Sequence, residues 1–154
     1  MENKFNPVNR LYRLLSQVNQ TIVRVRDRQQ LFDEICRIAV QDGGFRLVWI
    51  GLIDQEEKII RPVSWSGYED SYVQNILIST QNIPEGRGPA GTTAATGNFV
   101  VSVDIENDPR MLPWKDAALK RGYRSIASFP LTINGKITGV ILFYSSEVNY
   151  FDQE

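Results

Sequence analysis

Apolar residues recur with helical spacing near the start of the chain. Leu11, Leu15, Val18, Ile22 and Val25 follow one another at alternating intervals of four and three residues, the rhythm with which one helix packs against another. The run lasts for only about two heptads, which is short for a free-standing coiled coil. It predicts either a dimerisation helix or an amphipathic helix docked on its own domain.

A second helix is predicted from Asp27 onward. Asp27 and Gln30 form a capping pattern at its start. Its apolar face is formed by Leu31, Phe32, Ile35, Ile38 and Ala39. The pair Gly43-Gly44 ends it. Cys36 lies inside this helix, where a buried structural thiol is favoured over a reactive one.

The pattern then changes to one that is typical of strands. Residues 45–53 are apolar at nearly every position, which predicts a central strand that is covered on both faces. Residues 59–65 form a second strand, and Pro62 inside it indicates a sheet edge or a bulge. A third strand is predicted over 99–103.

Asn134 and Gly135 separate two further apolar runs, 126–133 and 137–144. Because both residues of the tightest hairpin turn take positive φ, this dipeptide predicts an antiparallel hairpin. Short helices are predicted over 68–78, 89–97 and 113–122. The order of helices and strands indicates an α+β domain.

The last residues resemble the beginning of a helix. Asp152 has the character of an N-cap, with Phe151 before it as a hydrophobic staple. We therefore expect a fragment in two parts. Residues 1–26 would form a signalling and dimerisation helix, and residues 27–154 a domain that stops at the start of its C-terminal helix.

Composition narrows the classes of function. The chain has 154 residues, a formal net charge of −1, no histidine and one cysteine. Its scattered charges offer no basic stripe for nucleic acid, no apolar run is long enough to span a membrane, and the N-terminus does not resemble a secretory signal. Without histidine, the usual general base and the commonest metal ligand are missing. We therefore predict a cytoplasmic protein that is not an enzyme and that carries no metal or cofactor.

Several segments together resemble the GAF domain family. The opening resembles it in LSQVNQ (15–20), LFDEIC (31–36) and GGFRLVWIG (43–51). The remainder is similar to one bacterial subgroup in GRGPAGT (86–92), TGNFVV (96–101), DIENDPRMLPW (104–114), RGYRS (121–125), FPL (129–131) and GVILFY (139–144). Each segment alone is weak, whereas their order and spacing are specific.

The resemblance implies an antiparallel sheet of five to six strands. The N- and C-terminal helices would pack on one face, and short helices and loops would close a pocket on the other. It further implies a sensory domain of a bacterial signalling protein, of the diguanylate cyclase, phosphodiesterase or histidine kinase type. Such a domain would bind an unknown small molecule, form a homodimer through its terminal helices and act on an output domain in the same chain. The alternatives are a ligand-free dimerisation module and an enzyme like free methionine sulfoxide reductase.

Nine residues are candidates for the ligand site of such a domain. Large aromatic side chains can stack on a planar ligand, arginines can bind a carboxylate or phosphate with two hydrogen bonds, and acidic or hydroxyl groups can orient it. These candidates are Trp49, Trp65, Arg87, Asp104, Arg110, Trp114, Tyr123, Arg124 and Ser128.

Each candidate also has a structural explanation. The aromatic residues can simply fill a core, and Ser128 can be buried with a backbone partner. Each arginine can pair with a nearby acid, for which Asp104 and Asp108 are the candidates, and Arg110 shares one turn with Asp108. Arg87 lies in a Gly-Arg-Gly-Pro loop, whose backbone amides can face an anion at a helix N-terminus or whose glycines can supply a tight turn.

Overall fold

The computed structural model describes residues 25–151 of the chain. Five strands in this range form one antiparallel sheet in the order β2-β1-β5-β4-β3. They are β1 (Leu47–Asp54), β2 (Ile59–Gly67), β3 (Val100–Ser102), β4 (Ser125–Ile133) and β5 (Lys136–Ser145). This open antiparallel sheet with its helices confirms the predicted α+β fold.

The sheet separates two packed faces, because successive strand residues point to opposite sides. The helix face is covered by α1 (Val25–Gln41), and its core includes Phe32, Cys36, Val48, Ile50, Ile141, Phe143 and Phe151. The loop face carries Leu47, Trp49, Ile126, Val140, Leu142 and Tyr144. Both sides of β1 and β5 are therefore buried, as their nearly continuous apolar sequences predict.

The turn chemistry of the chain explains how neighbouring strands are joined. Asn134 and Gly135 connect β4 to β5 with φ angles of 54° and 77°, which confirms the predicted hairpin. β2 lies at a sheet edge, and its pairing with β1 shifts between Ile50 and Gly51, next to Pro62. This irregularity beside a proline is what the sequence predicts for that strand.

Short helices and turns cover the loop face. They are α2 (Tyr72–Asn75), α3 (Pro89–Thr96) and α4 (Lys115–Lys120), with 3-10 helices at Pro84–Gly86, Ile105–Asn107 and Pro109–Trp114. α3 begins at Pro89, whose fixed φ suits a first helical turn. It ends before Gly97, which has a φ of 77°, as predicted.

Four predicted boundaries differ from the structure. The helix expected over 68–78 is reduced to the single turn α2, because Asp70 and Ser71 take left-handed φ angles of 44° and 64° and Ile76 is extended. The strand expected over 99–103 shortens to β3. α1 runs through Asp27 rather than beginning there, and a 3-10 helix precedes the helix expected from Pro113.

Some predictions lie outside the described residues. The dimerisation residues Leu11, Leu15, Val18 and Ile22, the side chain of Val25 and the proposed cap Asp152 all fall there. The division of the chain at residue 26 therefore stays a prediction. Between residues 25 and 151, the structure has no helix that is both long and apolar enough to cross a membrane.

Candidate functional site

A cleft opens on the loop side of the sheet, between α2 and α4. This outer cleft has a volume of about 230 Å³, and its lining includes Tyr72, Ile76, Glu85, Trp114, Ala117 and Arg121. Most of its lining is apolar, and Glu85 and Arg121 are the charged residues in it. A partly apolar cleft with a few polar groups is the usual form of a small-molecule site.

A much smaller space, called the inner cavity below, adjoins the cleft. Its volume is about 10 Å³ and its walls are mostly apolar, with Met111, Leu142 and Tyr144 among them. This is roughly the space that one water molecule needs. Three side chains line both spaces and so form the wall between them: Tyr72, Ile76 and Trp114.

Trp114 is held in this wall by two contacts. Its indole Nε1 donates a hydrogen bond to the Leu77 carbonyl at 3.0 Å. Its ring lies so close to Gly88 that a Cβ at position 88 would stand 2.4 Å from a ring carbon. Gly88 is therefore required for the close approach of the indole ring. Trp114 is the one predicted ligand residue that lines both spaces.

A cluster of aromatic residues supports the inner cavity from below. Trp49 is fully buried and donates a hydrogen bond from Nε1 to the Tyr144 hydroxyl at 2.9 Å. The Tyr72 ring meets the rings of Tyr123 and Tyr144 edge-on, at centroid distances of 5.0 and 5.9 Å. Tyr123 donates to the Tyr68 carbonyl at 2.5 Å. Trp49 and Tyr123 thus do not line either space, but they pack against Tyr144 and Tyr72, which do.

The Tyr72 hydroxyl differs from its neighbours. It is buried, yet it forms no hydrogen bond of good geometry with any residue in the described range. Burial raises the pKa of Tyr72 and of Tyr144 well above the usual phenol value, so both hydroxyls are neutral and able to donate. A buried polar group without a partner costs about 1–3 kcal/mol.

The predicted arginines are held by near neighbours outside the cleft lining. Arg87 donates from Nε to the side-chain oxygen of Asn82 at 2.9 Å. Arg110 makes an ion pair with Asp108 at 2.6 Å, as its structural explanation anticipates. Partial burial opposes ionisation of Asp108, but hydrogen bonds led by Arg110 outweigh it and lower the pKa of that carboxyl.

Arg124 and Asp104 lie at the ends of neighbouring strands. Arg124 pairs with Glu106 at 3.1 Å, and the Asp104 carboxylate accepts a hydrogen bond from Asn107 at 2.8 Å. Arg124 Nε and Asp104 Oδ1 are buried without a partner among the described residues. Neither residue lines the outer cleft or the inner cavity, so their role in ligand binding stays a prediction.

The two remaining candidates, Trp65 and Ser128, differ widely in solvent exposure. Trp65 is 40% exposed on the edge strand β2, opposite Trp49. Ser128 is fully buried on β4. Its carbonyl accepts a hydrogen bond from Thr93 at 3.3 Å, whereas its hydroxyl has no partner among the described residues. The backbone partner that was expected for this hydroxyl is therefore not observed.

Three residues of the cleft lining are not among the candidates predicted from sequence: Tyr72, Glu85 and Arg121. Arg121 donates from Nε and Nη2 to the Asp70 carbonyl, at 2.9 and 2.7 Å, and from Nη1 to the Ala117 carbonyl at 2.9 Å. These residues come from three separate segments that meet only in the folded chain. The segment RGYRS was a signal for Arg121, but no spacing rule singled out the residue within it.

The single cysteine lies on the other side of the sheet. Cys36 is completely buried in the helix-face core, and burial raises the pKa of its thiol to about 12. In this arrangement a thiol-dependent reaction in the outer cleft cannot draw on Cys36. Within residues 25–151, no three carboxylate, thiol or imidazole side chains are grouped as metal ligands would be.

Comparisons with known proteins identify the type of domain. A family model described as "GAF domain" matches residues 25–154. No curated protein matches the chain by sequence.

Solved structures share this fold at low sequence identity. Free methionine-R-sulfoxide reductase from Neisseria meningitidis, in complex with its substrate, is 22% identical, with a TM-score of 0.67 over 99% of this chain and 83% of that chain. The nlh2 GAF domain of A. aeolicus, in an inactive state, is 14% identical, with a TM-score of 0.63 over 90% and 78%. NreA from Staphylococcus aureus, mutated in its nitrate binding site, is 21% identical, with a TM-score of 0.60 over 84% and 93%.

These structures correct one expectation. The missing histidines and the single cysteine predict a chain that is not an enzyme. That prediction is contradicted, because structures with this same fold include free methionine-R-sulfoxide reductases, which are enzymes. At these identities the likeness shows the fold alone, and the fold is compatible with catalysis.

Proposed function

The chain belongs to the GAF domain family, and on this premise we propose that it is a sensory domain that binds a small molecule between the loop face and its cover. One observation carries the proposal. An open cleft of about 230 Å³ lies against an inner cavity, and only Tyr72, Ile76 and Trp114 line both. The wall between them is one side chain thick.

The Tyr72 hydroxyl gives this wall a chemical preference. Because it is buried and forms no hydrogen bond of good geometry with any described residue, a ligand group that bonds to it well lowers the free energy of the bound state. The surrounding side chains, such as Ile76 and Trp114, offer apolar surface. The site therefore suits a molecule with an apolar body and at least one polar group.

The sheet offers a route from this site to the helix face. Leu142 and Tyr144 face the inner cavity, whereas Phe143 between them faces α1. Phe143 packs on Phe45 at a ring distance of 5.2 Å, and Phe45 stacks on Phe151 at 5.8 Å. We propose that displacement of the cavity side chains shifts this aromatic packing. A ligand can drive the shift only by its difference in affinity for the two arrangements.

The wider context is proposed from the family resemblance. The domain would act in a bacterial signalling protein of the diguanylate cyclase, phosphodiesterase or histidine kinase type. It would form a homodimer through its terminal helices and act on an output domain in the same chain. Sedimentation of the chain with and without residues 1–26 tests the first of these relations, since deletion of the helix is expected to leave a monomer.

Ligand binding is tested by a thermal-shift screen of the whole chain against metabolites, followed by calorimetry. A ligand at about 100 times its Kd adds about 2.7 kcal/mol of stability, which for a chain of this size raises Tm by roughly 5–10 °C. Trp114→Ala should abolish the shift. Arg61→Gln, on the exposed edge strand, is the matched control and should retain it.

Two results would contradict the proposal. One is a broad screen in which no compound stabilises the wild-type chain. The other is a ligand whose affinity is unchanged by Trp114→Ala and by Tyr72→Phe, because such a ligand would bind elsewhere.

A further inference from the structure

We infer that the outer cleft selects an elongated zwitterion of about dipeptide size, with its carboxylate on Arg121 and its ammonium group on Glu85. The inference rests on the proposed function and names the ligand class of that site. It is carried by two opposite charges that line one largely apolar cleft, each of which lacks an ionic partner among the described residues.

Arg121 is a preorganised cation. Three of its N–H groups bond to the carbonyls of Asp70 and Ala117, and its guanidinium lies 5.7 Å from the Tyr72 ring centroid. These contacts fix the side chain without neutralising it, because none of the ion pairs within residues 25–151 includes Arg121. A guanidinium carries five N–H donors, so two remain for a carboxylate ligand.

Glu85 is the matching anion. Its backbone carbonyl accepts a hydrogen bond from the Ser79 amide at 3.0 Å, which fixes the turn that carries it. Its carboxylate forms neither a hydrogen bond nor an ion pair with any residue that the structure describes. A half-buried carboxylate at the rim of a cleft is an acceptor for an ammonium group.

The two charges belong to elements that lie near opposite ends of α4. Arg121 directly follows α4, and Trp114 directly precedes it. The 3-10 turn Pro84–Gly86, which carries Glu85, packs against the 3-10 helix Pro109–Trp114. α4 has six residues and therefore measures about 9 Å. This length is the approximate span that we infer between the charged groups of the ligand.

A dipeptide meets this requirement and a single amino acid does not. Two extended residues measure about 7 Å, and a hydrogen bond of about 2.8 Å at each end lets them reach both side chains. In a free α-amino acid the ammonium and carboxylate groups share one carbon atom. The apolar floor between the two charges, with Ile76, Trp114 and Ala117, suits an aliphatic side chain or a methylene chain.

The test measures binding of defined probes to the whole chain by calorimetry. L-alanyl-L-leucine is the main probe, and 6-aminohexanoate has a similar spacing of charges without a peptide bond. N-acetyl-alanyl-leucine lacks the ammonium group, alanyl-leucine amide lacks the carboxylate, and leucine is too short. We expect each of the last three to bind at least about tenfold more weakly than alanyl-leucine. Stronger binding of 6-aminohexanoate than of the dipeptide would identify the charge spacing, rather than the peptide group, as the feature that is recognised.

Two variants connect each charge of the ligand to one residue. In Glu85→Gln the preference for alanyl-leucine over its N-acetyl form should disappear, while the preference over the amide remains. In Arg121→Gln the opposite should hold. Glu106→Gln and Arg61→Gln carry the same substitutions on exposed ion pairs outside the cleft and should change neither preference. Because Arg121 also holds Asp70, melting curves must show that each variant is folded, and Arg121→Lys provides a second variant that keeps the charge.

The outcomes separate this inference from the proposed function. If the chain binds a ligand that depends on Trp114 and Tyr72 but not on Glu85 and Arg121, the zwitterion inference is wrong and the sensor proposal stands. If the preferences persist in both variants, the inference is also wrong. If no compound binds at all, both fail.

Discussion

The two faces of the sheet are built from alternate residues of the same strands, yet they differ in whether their buried polar groups form hydrogen bonds. On the helix face, the buried hydroxyl of Ser64 donates a hydrogen bond to Asp33 at 2.5 Å, and most of the remaining core consists of aliphatic and phenylalanine side chains. On the loop face, the hydroxyls of Tyr72, Ser102 and Ser128 are buried and form no hydrogen bond of good geometry with any described residue.

This difference separates stability from binding. A face with satisfied polar groups and close packing gains the full benefit of burial. A face with unsatisfied hydroxyls, an inner cavity and an open cleft gives up part of that stability, and a ligand can restore it. The helix face therefore stabilises the fold, and the loop face is the face on which a bound ligand can add the most stability.

The largest effect should come from removing a ring on the helix face. Phe143 is fully buried and contacts Phe45 and Phe129, so Phe143→Ala should lower the free energy of unfolding by about 3–5 kcal/mol. Urea denaturation measures the loss. A loss below about 1 kcal/mol would mean that the helix face is less tightly packed than its burial indicates.

On the loop face, Gly88→Ala should act through Trp114. The φ of Gly88 is −80°, so alanine adds no backbone strain, but its Cβ would stand 2.4 Å from the indole ring. We expect a loss of about 1–3 kcal/mol from overpacking, with a change in tryptophan fluorescence as the ring moves.

Gly44→Ala is the control for this variant. Gly44 has a φ of 75°, and no atom lies within 4 Å of the position that a Cβ would take there. Alanine should therefore lose about 1 kcal/mol through backbone strain alone, and the fluorescence should be unchanged. If the fluorescence changed equally in both variants, the loss of stability in Gly88→Ala could not be attributed to movement of the Trp114 ring.

A matched pair of tyrosines tests the unsatisfied hydroxyl directly. Tyr72→Phe removes a hydroxyl that forms no hydrogen bond of good geometry with any described residue, so stability should stay the same or rise by up to about 1 kcal/mol. Tyr123→Phe removes a hydrogen bond to the Tyr68 carbonyl and should cost about 1 kcal/mol. Chemical denaturation distinguishes the two signs, and a loss in Tyr72→Phe as large as that in Tyr123→Phe would refute the contrast.

More of the structure of the helix face than of the loop face could be predicted from the sequence. Its helix, central strands and hairpin depend on residue periodicity and on the Asn134-Gly135 turn, which are local properties. The single turn of α2 depends on left-handed φ angles at Asp70 and Ser71. Arg121, some fifty residues away in sequence, bonds the Asp70 carbonyl, and local pattern does not reveal that contact.

The candidate site shows the same limit. The pairing of Arg110 with Asp108 can be anticipated because the two residues share one turn, and Trp114 is a candidate because a large aromatic residue stands out in any sequence. Glu85 and Arg121 resemble ordinary surface charges until the fold places them around one cleft. Their part in binding depends on long-range arrangement, which composition and spacing do not encode.

The smallest effect concerns the pH at which each face begins to lose stability. Burial raises the pKa of Cys36 from 9.0 to about 12, so the unfolded chain releases this proton first and stability falls as pH rises above about 9. The tyrosines of the loop face, Tyr72 and Tyr144, add the same kind of loss only above their usual pKa of 10.0. Between pH 7 and pH 9 the thiol lowers the free energy of unfolding of the wild type by about 0.4 kcal/mol. This part of the pH dependence should be absent in Cys36→Ala. Tyr72→Phe should leave this interval unchanged and reduce the loss only at higher pH. An identical pH dependence for the wild type and Cys36→Ala between pH 7 and pH 10 would show that the thiol is not held in the protonated form by burial.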